Sequence, residues 1–207
     1  MIRIWGRTTS SNVMKVLWLL DELGVSFERI DAGGAFGRTD TPEYRAMNPA
    51  GVVPTLEENG FSLFESNSIL RYICNAYAPG SDWYPTAARP RGQIDAWLDA
   101  QQTLMSGPMT RVFVGLVRTP PEKRDPAAIA AAAADAGKVW AMVETKLGDK
   151  DFLFGEKPSI ADIAFGVLVH RWFVLPIERP DLPALRTWYD RLLTRPPYKA
   201  HCANPLT

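Results

Sequence analysis

The sequence predicts an α/β half followed by an all-helical half. Three observations carry this: a strand, helix, strand order within the first 30 residues, a hairpin signal at Asn59-Gly60 that runs into a helix, and a change after residues 79–90 to long helical periods with no further strand pair. Alternation at Ile2 and Ile4 before Gly6 gives a short buried strand, and TTSSN then supplies helix-start residues. Val13, Val16, Leu17, Leu19, Leu20 and Leu23 recur at helical spacing, and Gly24 stands where a helix C-terminal glycine belongs. Val25, Phe27 and Ile30 begin a second strand, completing a βαβ unit with parallel strands.

Residues 32–42, AGGAFGRTDTP, read as a mobile glycine-rich loop forming a wall of a site. VVPTLEENGFSLFES reads as two strands around Asn59-Gly60, both of which tolerate positive φ. A helix from about Ser66 to Tyr77 follows, with Ile69, Leu70, Ile73 and Tyr77 at helical spacing, ended by Pro79-Gly80. The domain expectation is therefore residues 1–80 and 87–207. In the second, Ile94, Trp97, Leu98, Leu104 and Met105 share one helix, and Ile129, Ala133, Ala136, Trp140, Val143 and Leu147 another. The alanine run 130–134 is helix-forming without chemistry. Residues 160–175 and 182–193 make two more helices, and the tail TRPPYKAHCANPLT reads as loop.

Composition narrows the function. The 207 residues hold 23 Lys plus Arg against 23 Asp plus Glu, so the basic surplus of a nucleic-acid binder is missing. Two cysteines, Cys74 and Cys202, make no disulfide framework and no C-x-x-C pair, as expected of a reducing compartment. The opening MIRIWGR is unlike a secretory signal, and no apolar run approaches the roughly 20 residues of a membrane span. A cytoplasmic chain with no nucleic-acid or membrane partner is expected. Cys74 reads as a packed core thiol, and His170 and His201 lack metal-ligand spacing.

Four strings in order, SSNVMKV, NPAGVVPTL, FESNSILRY and PSIADIAFG, resemble the cytosolic glutathione transferases over nearly the whole chain. The resemblance implies a thioredoxin-like N-terminal domain that binds glutathione as co-substrate, with no resident cofactor or metal, and a helical domain that presents a small hydrophobic electrophile. It also implies a homodimer. Val53, before a cis Pro54, would offer its N–H and C=O to the cysteinyl backbone of glutathione, as in strand addition. Ser66, at a helix N-terminus, would hold the γ-glutamyl carboxylate, with Glu65 accepting from the α-amino group.

The resemblance implies a Ser, Tyr or Cys over the sulfur at the start of the first helix, and with no Tyr or Cys among residues 1–20 it leaves Thr9, Ser10, Ser11 and Asn12. Ser-x-Asn-Val-x-Lys-Val resembles bacterial serine-type members, which puts the catalytic hydroxyl at Ser10 and a secondary contact at Asn12. Lowering a thiol from its ordinary pKa of about 8.5 by about two units requires roughly 2.7 kcal/mol. One charge-assisted hydrogen bond (about 1.5–3 kcal/mol) and a helix N-terminus (about 0.3–2) together suffice. Many members carry Lys or Gln just before the Val-Pro pair to hold the glycyl carboxylate, where this chain has Val52; Arg38 is the nearest basic alternative. Met105, Met109, Arg111 and Phe113 fall on the helix that would line the electrophile pocket. Ser159 and Asp162 are expected to cap a helix reciprocally, a folding role. Conjugation, glutathione-dependent peroxide or disulfide reduction, and non-catalytic ligand or protein binding are the readings the sequence leaves open.

Overall fold

A computed structural model describes residues 1–206. Its first half is a four-stranded sheet in the order β2-β1-β3-β4, made of β1 (Ile2–Trp5), β2 (Phe27–Ile30), β3 (Thr55–Glu58) and β4 (Phe61–Phe64). β1 runs parallel to β2 and antiparallel to β3, and β3 antiparallel to β4. Helices α1 (Ser11–Glu22), α2 (Pro42–Met47) and α3 (Ser66–Tyr77) complete this half, which is the expected βαβ, loop, ββα order and the thioredoxin-like arrangement. The turns follow from residue type: Gly24 has φ +64° after α1, and Asn59 and Gly60 have φ +50° and +83° in the hairpin.

From Ala88 onward the regular elements are helical: α4 (Ala88–Ala100), α5 (Ser106–Phe113), α6 (Pro126–Leu147), α7 (Ile160–Val174), α8 (Pro183–Leu192) and α9 (Pro196–Cys202). Two π turns, Gln101–Met105 and Val114–Arg118, follow α4 and α5. Helix α7 is apolar almost all round and is buried from Ile160 through Val169, the pattern of a central helix. It packs against α1, and the main core runs without a break from Ile2 and Ile4 through Trp18 to Trp140, Phe165 and Trp188.

Three sequence expectations need correction. Residues 32–42 are not all loop. A 3-10 turn occupies Gly34–Phe36, and the segment ends by starting α2, whose N-cap Thr41 accepts from the Tyr44 N–H at 3.3 Å ahead of a first-turn proline. The tail is not all loop either: α9 starts at Pro196, and its buried Tyr198 meets Trp18 edge-on at 4.9 Å and donates to the Gly166 carbonyl at 3.1 Å. Prolines at helix starts account for both omissions, since Pro costs nothing there. Finally, the π turn at Gln101–Met105 shifts the helical phase, so that Ile94, Leu98 and Met105 are buried while Leu104 is 45% exposed. Thr207, the last residue of the expected second domain and of the tail, lies outside the described residues.

The Ser159–Asp162 capping box forms at the start of α7. The buried Asp162 carboxylate accepts from the Ser159 N–H (2.8 Å) and hydroxyl (2.9 Å), the Leu153 N–H (2.9 Å) and the Trp188 indole N–H (3.1 Å). Cys74 is buried and unpaired, and burial pushes its thiol up to about 12. Among the described residues no cluster of His, Cys, Asp and Glu could hold a metal, and no helix is long and apolar enough to cross a membrane.

Candidate active site

The site grows from three chain segments at one end of the sheet, where β1 and β4 finish and β3 begins. The first is the turn from β1 into α1. Ser10 is the N-cap residue of α1 by position, with φ −85° and ψ 120°, yet its side chain caps nothing. The hydroxyl is half-buried and the first N–H groups of α1 stay available, so the partial positive charge of this helix end is not spent internally.

The second segment is the turn into β3. The Val53–Pro54 peptide is cis. The turn is held by a buried polar cluster: the Val52 carbonyl accepts from the Tyr44 hydroxyl and the Asn48 amide, both at 2.7 Å, and Thr55 Oγ1 donates to the Tyr44 hydroxyl at 2.8 Å. Asn48 Oδ1 also accepts from the Ala50 N–H at 3.0 Å. With Val52 fixed by its carbonyl, its side chain is 54% exposed, and neither the N–H nor the C=O of Val53 has a hydrogen-bond partner among the described residues. An unpaired backbone edge results.

The third segment is the start of α3. Glu65 is an exposed residue at φ +69°, ψ 110°, a conformation that ordinarily costs a non-glycine residue about 1–3 kcal/mol, and its side chain does not cap the helix. Ser66 is 3% exposed and its hydroxyl lies 3.3 Å from Asn12 Oδ1, to which it donates. That bond joins the starts of α1 and α3. Predicted residues Ser10, Asn12, Glu65 and Ser66 therefore lie together.

Other predicted residues are placed differently. Arg38 is exposed on the loop before α2, at φ +70°, and makes no hydrogen bond or ion pair through its side chain among the described residues. Met105 and Met109 belong to the main core, at 0% and 1% exposure, and Arg111 pairs with Asp135 at the surface at 3.5 Å. Phe113 does reach a cavity of about 120 Å³ beside the β1–α1 turn, lined also by Thr8, Thr9, Met14 and Arg171. A larger cavity of about 650 Å³ lies between Leu116, α6 and residues 176–180, away from all of these positions.

Two groups of residues beside the candidate site were not anticipated from the sequence. Arg171 of α7 donates to the Thr9 carbonyl at 3.2 Å and covers the Phe113 ring at 4.0 Å, while Arg118 covers the same ring at 5.3 Å. Burial, then the charges of Arg118 and Arg7, pull the Arg171 guanidinium down to about 10. Arg7 packs against Gly33 and Gly34, where a Cβ on Gly33 would come within 3.1 Å of Val53 and 3.2 Å of Arg7. These arginines come from separate regions of the sequence, so no local pattern joins them. The second is Lys15 of α1, fully buried and hydrogen-bonded to Ser66. Only its neighbour Val-x-Lys-Val spacing was visible in the sequence.

Comparison with known proteins gives this geometry a family. The N-terminal domain model of glutathione S-transferases matches residues 1–75, and the C-terminal domain model residues 126–191. The glutathione S-transferase GstB of Escherichia coli K12 is 36% identical over 198 residues, covering 95% of each chain. The chain belongs to the glutathione S-transferase family. Arabidopsis thaliana glutathione S-transferase F10 is 29% identical, covering 87% of this chain and 86% of its own. Among solved structures, a theta class glutathione S-transferase from Xanthomonas axonopodis pv. citri with glutathione bound superposes with a TM-score of 0.93 at 45% identity, covering 100% and 99% of the two chains. Poplar glutathione transferase F1 gives 0.84 at 27% identity over 96% and 95%.

Proposed function

We propose that this chain is a glutathione S-transferase of the serine type, which binds glutathione as co-substrate and stabilises its sulfur as a thiolate for attack on a small hydrophobic electrophile. The observation that carries the reading is the Asn12–Ser66 hydrogen bond, which sets two helix N-termini without side-chain caps side by side, next to the unpaired backbone of Val53. Val53 pairs with the cysteinyl backbone, Ser66 and the α3 N-terminus take the γ-glutamyl carboxylate, and Glu65 takes the α-amino group. The sulfur then lies over the start of α1, where the uncommitted Ser10 hydroxyl donates to it and Asn12 adds a secondary polar contact. The glycyl carboxylate meets a basic side chain of this rim, Arg38 on the loop or Arg7 beside Val53, since the Val52 side chain cannot hold it.

The electrophile enters from the Phe113 side, over Thr8, Thr9 and Met14, with Arg171 at its floor. Residues 1–80 form the glutathione-binding domain and 87–207 the domain that presents the electrophile. The working form is a cytoplasmic homodimer that needs no metal and no nucleic acid. The test is the pH dependence of thiolate absorbance of bound glutathione in wild type and in Ser10→Ala. In the wild type the bound thiol titrates about two units below its free value, a stabilisation of about 2.7 kcal/mol, and in the variant close to it. An unshifted thiol in both proteins overturns the assignment of Ser10.

A further inference from the structure

Lys15 is 1% exposed, yet carries an ammonium in the body of the molecule. Its Nζ donates to Gln101 Oε1 at 2.7 Å, Asn67 Oδ1 at 3.1 Å and Ser66 Oγ at 3.3 Å, so three donors meet three neutral oxygens. None of those partners titrates. The charged side chain that acts on Lys15 is Glu65, at the start of α3, and it only partly offsets a burial that brings the ammonium down to about 7. As a packing element alone this is a poor choice, because an uncharged side chain of similar volume would avoid the desolvation cost.

The surroundings are built to receive it. The π turn brings Gln101 to Nζ, and the other end of that amide is fixed by donating to Ser106 Oγ at 2.8 Å. Asn67 is fixed by donating to the Leu98 carbonyl at 3.0 Å. On the other side Ser66 accepts from Lys15 and donates to Asn12, so the lysine fills the acceptor side of the hydroxyl and leaves its single proton to turn from Asn12 Oδ1 to an incoming carboxylate.

We propose that Lys15 is the positioning residue for the γ-glutamyl end of glutathione: from behind α3 it orients the Ser66 hydroxyl, sets a positive charge opposite the incoming carboxylate, and ties this end of the site to the helical half through Gln101. The proposal rests on the reading that Ser66 holds that carboxylate. Linkage gives it a signature. A bound carboxylate favours the ammonium, so the ligand and a proton bind cooperatively, and affinity is highest below about pH 7 and falls as Lys15 deprotonates above it.

The probe is S-methylglutathione, which keeps the γ-glutamyl group but has no thiol to ionise, with binding followed calorimetrically from about pH 6 to about 8.5. Wild type loses about tenfold in affinity across that range and takes up a proton on binding. Lys15→Met binds about tenfold more weakly at the acid end and shows a flatter profile. Gln101→Glu sets a carboxylate against Nζ, keeps the ammonium charged, and holds the high affinity to the alkaline end. It also decides the matter if Lys15→Met does not fold. A flat wild-type profile, with Ser66→Ala abolishing binding, overturns the role of Lys15 and leaves the site standing. Absence of wild-type binding at every pH overturns both.

Discussion

Asp162→Ala tests whether the second helical motif is a folding device. The carboxylate is fully buried and accepts four hydrogen bonds, from two backbone N–H groups, an indole N–H and a hydroxyl. The hydroxyl of Ser159 can turn to another acceptor, but the N–H groups of Leu153 and Ser159 are fixed by the backbone and the Trp188 ring is held by packing at 0% exposure. Leaving a buried donor unsatisfied costs about 1–3 kcal/mol, so three of them put the variant about 3–5 kcal/mol below wild type once partial relaxation is counted. For a chain of this length each kcal/mol moves Tm by about 2–4 °C, which gives a drop of about 6–20 °C. Asp162→Asn keeps one acceptor oxygen and should fall between. Thermal unfolding by circular dichroism gives the stability, and turnover of a chromogenic electrophile well below the lower midpoint gives the activity, expected within about twofold of wild type. A variant that melts within about 2 °C of wild type would refute the count of unsatisfied donors. One that melts normally and is inactive would refute the separation of this motif from the site.

Glu65→Gly should separate stability from binding in the opposite sense. It relieves a φ of +69° but removes the charge that favours the buried Lys15 ammonium and adds freedom to the unfolded chain, so stability stays within about 1 kcal/mol of wild type, while glutathione affinity falls about tenfold because the α-amino group loses its acceptor; an unchanged affinity would count against the role of Glu65. Gly166→Ala would place a Cβ 2.7 Å from the Trp18 ring, which is pinned by its bond to Glu22 at 2.8 Å and by Tyr198. Overpacking of about 1–3 kcal/mol should lower Tm by several degrees and alter tryptophan fluorescence, and a melt equal to wild type would show that the ring can yield.

Which features were legible in the sequence follows from how local their causes are. The Asn59-Gly60 hairpin and the α7 capping box each depend on residues a few positions apart, and the parallel β1–β2 pair follows from a strand, helix, strand order that fits within 30 residues. Helices α2 and α9 were hidden because Pro42 and Pro196, which begin them, carry the same signal as loop residues. The π turn at Gln101–Met105 leaves no mark in composition, and its effect, turning Leu104 outward, depends on backbone hydrogen bonding alone.

The site divides along the same line. Glu65 and Ser66 stand at a strand-to-helix junction and could be read from their string, whereas the unpaired backbone at Val53 exists only because Tyr44, Asn48 and Thr55 tether the turn before it. Lys15 is the extreme case. Between Met14 and Val16 it reads as an ordinary solvated helix charge, and what makes it a buried ammonium are partners 51, 52 and 86 residues away. Its chemistry belongs to the junction of the two halves, since the same Nζ touches Ser66 of the sheet half and Gln101 of the helical half. If Ser66 holds the ligand as proposed, the ligand acts on the contact between the halves, and a change at Gln101 is expected to alter its affinity.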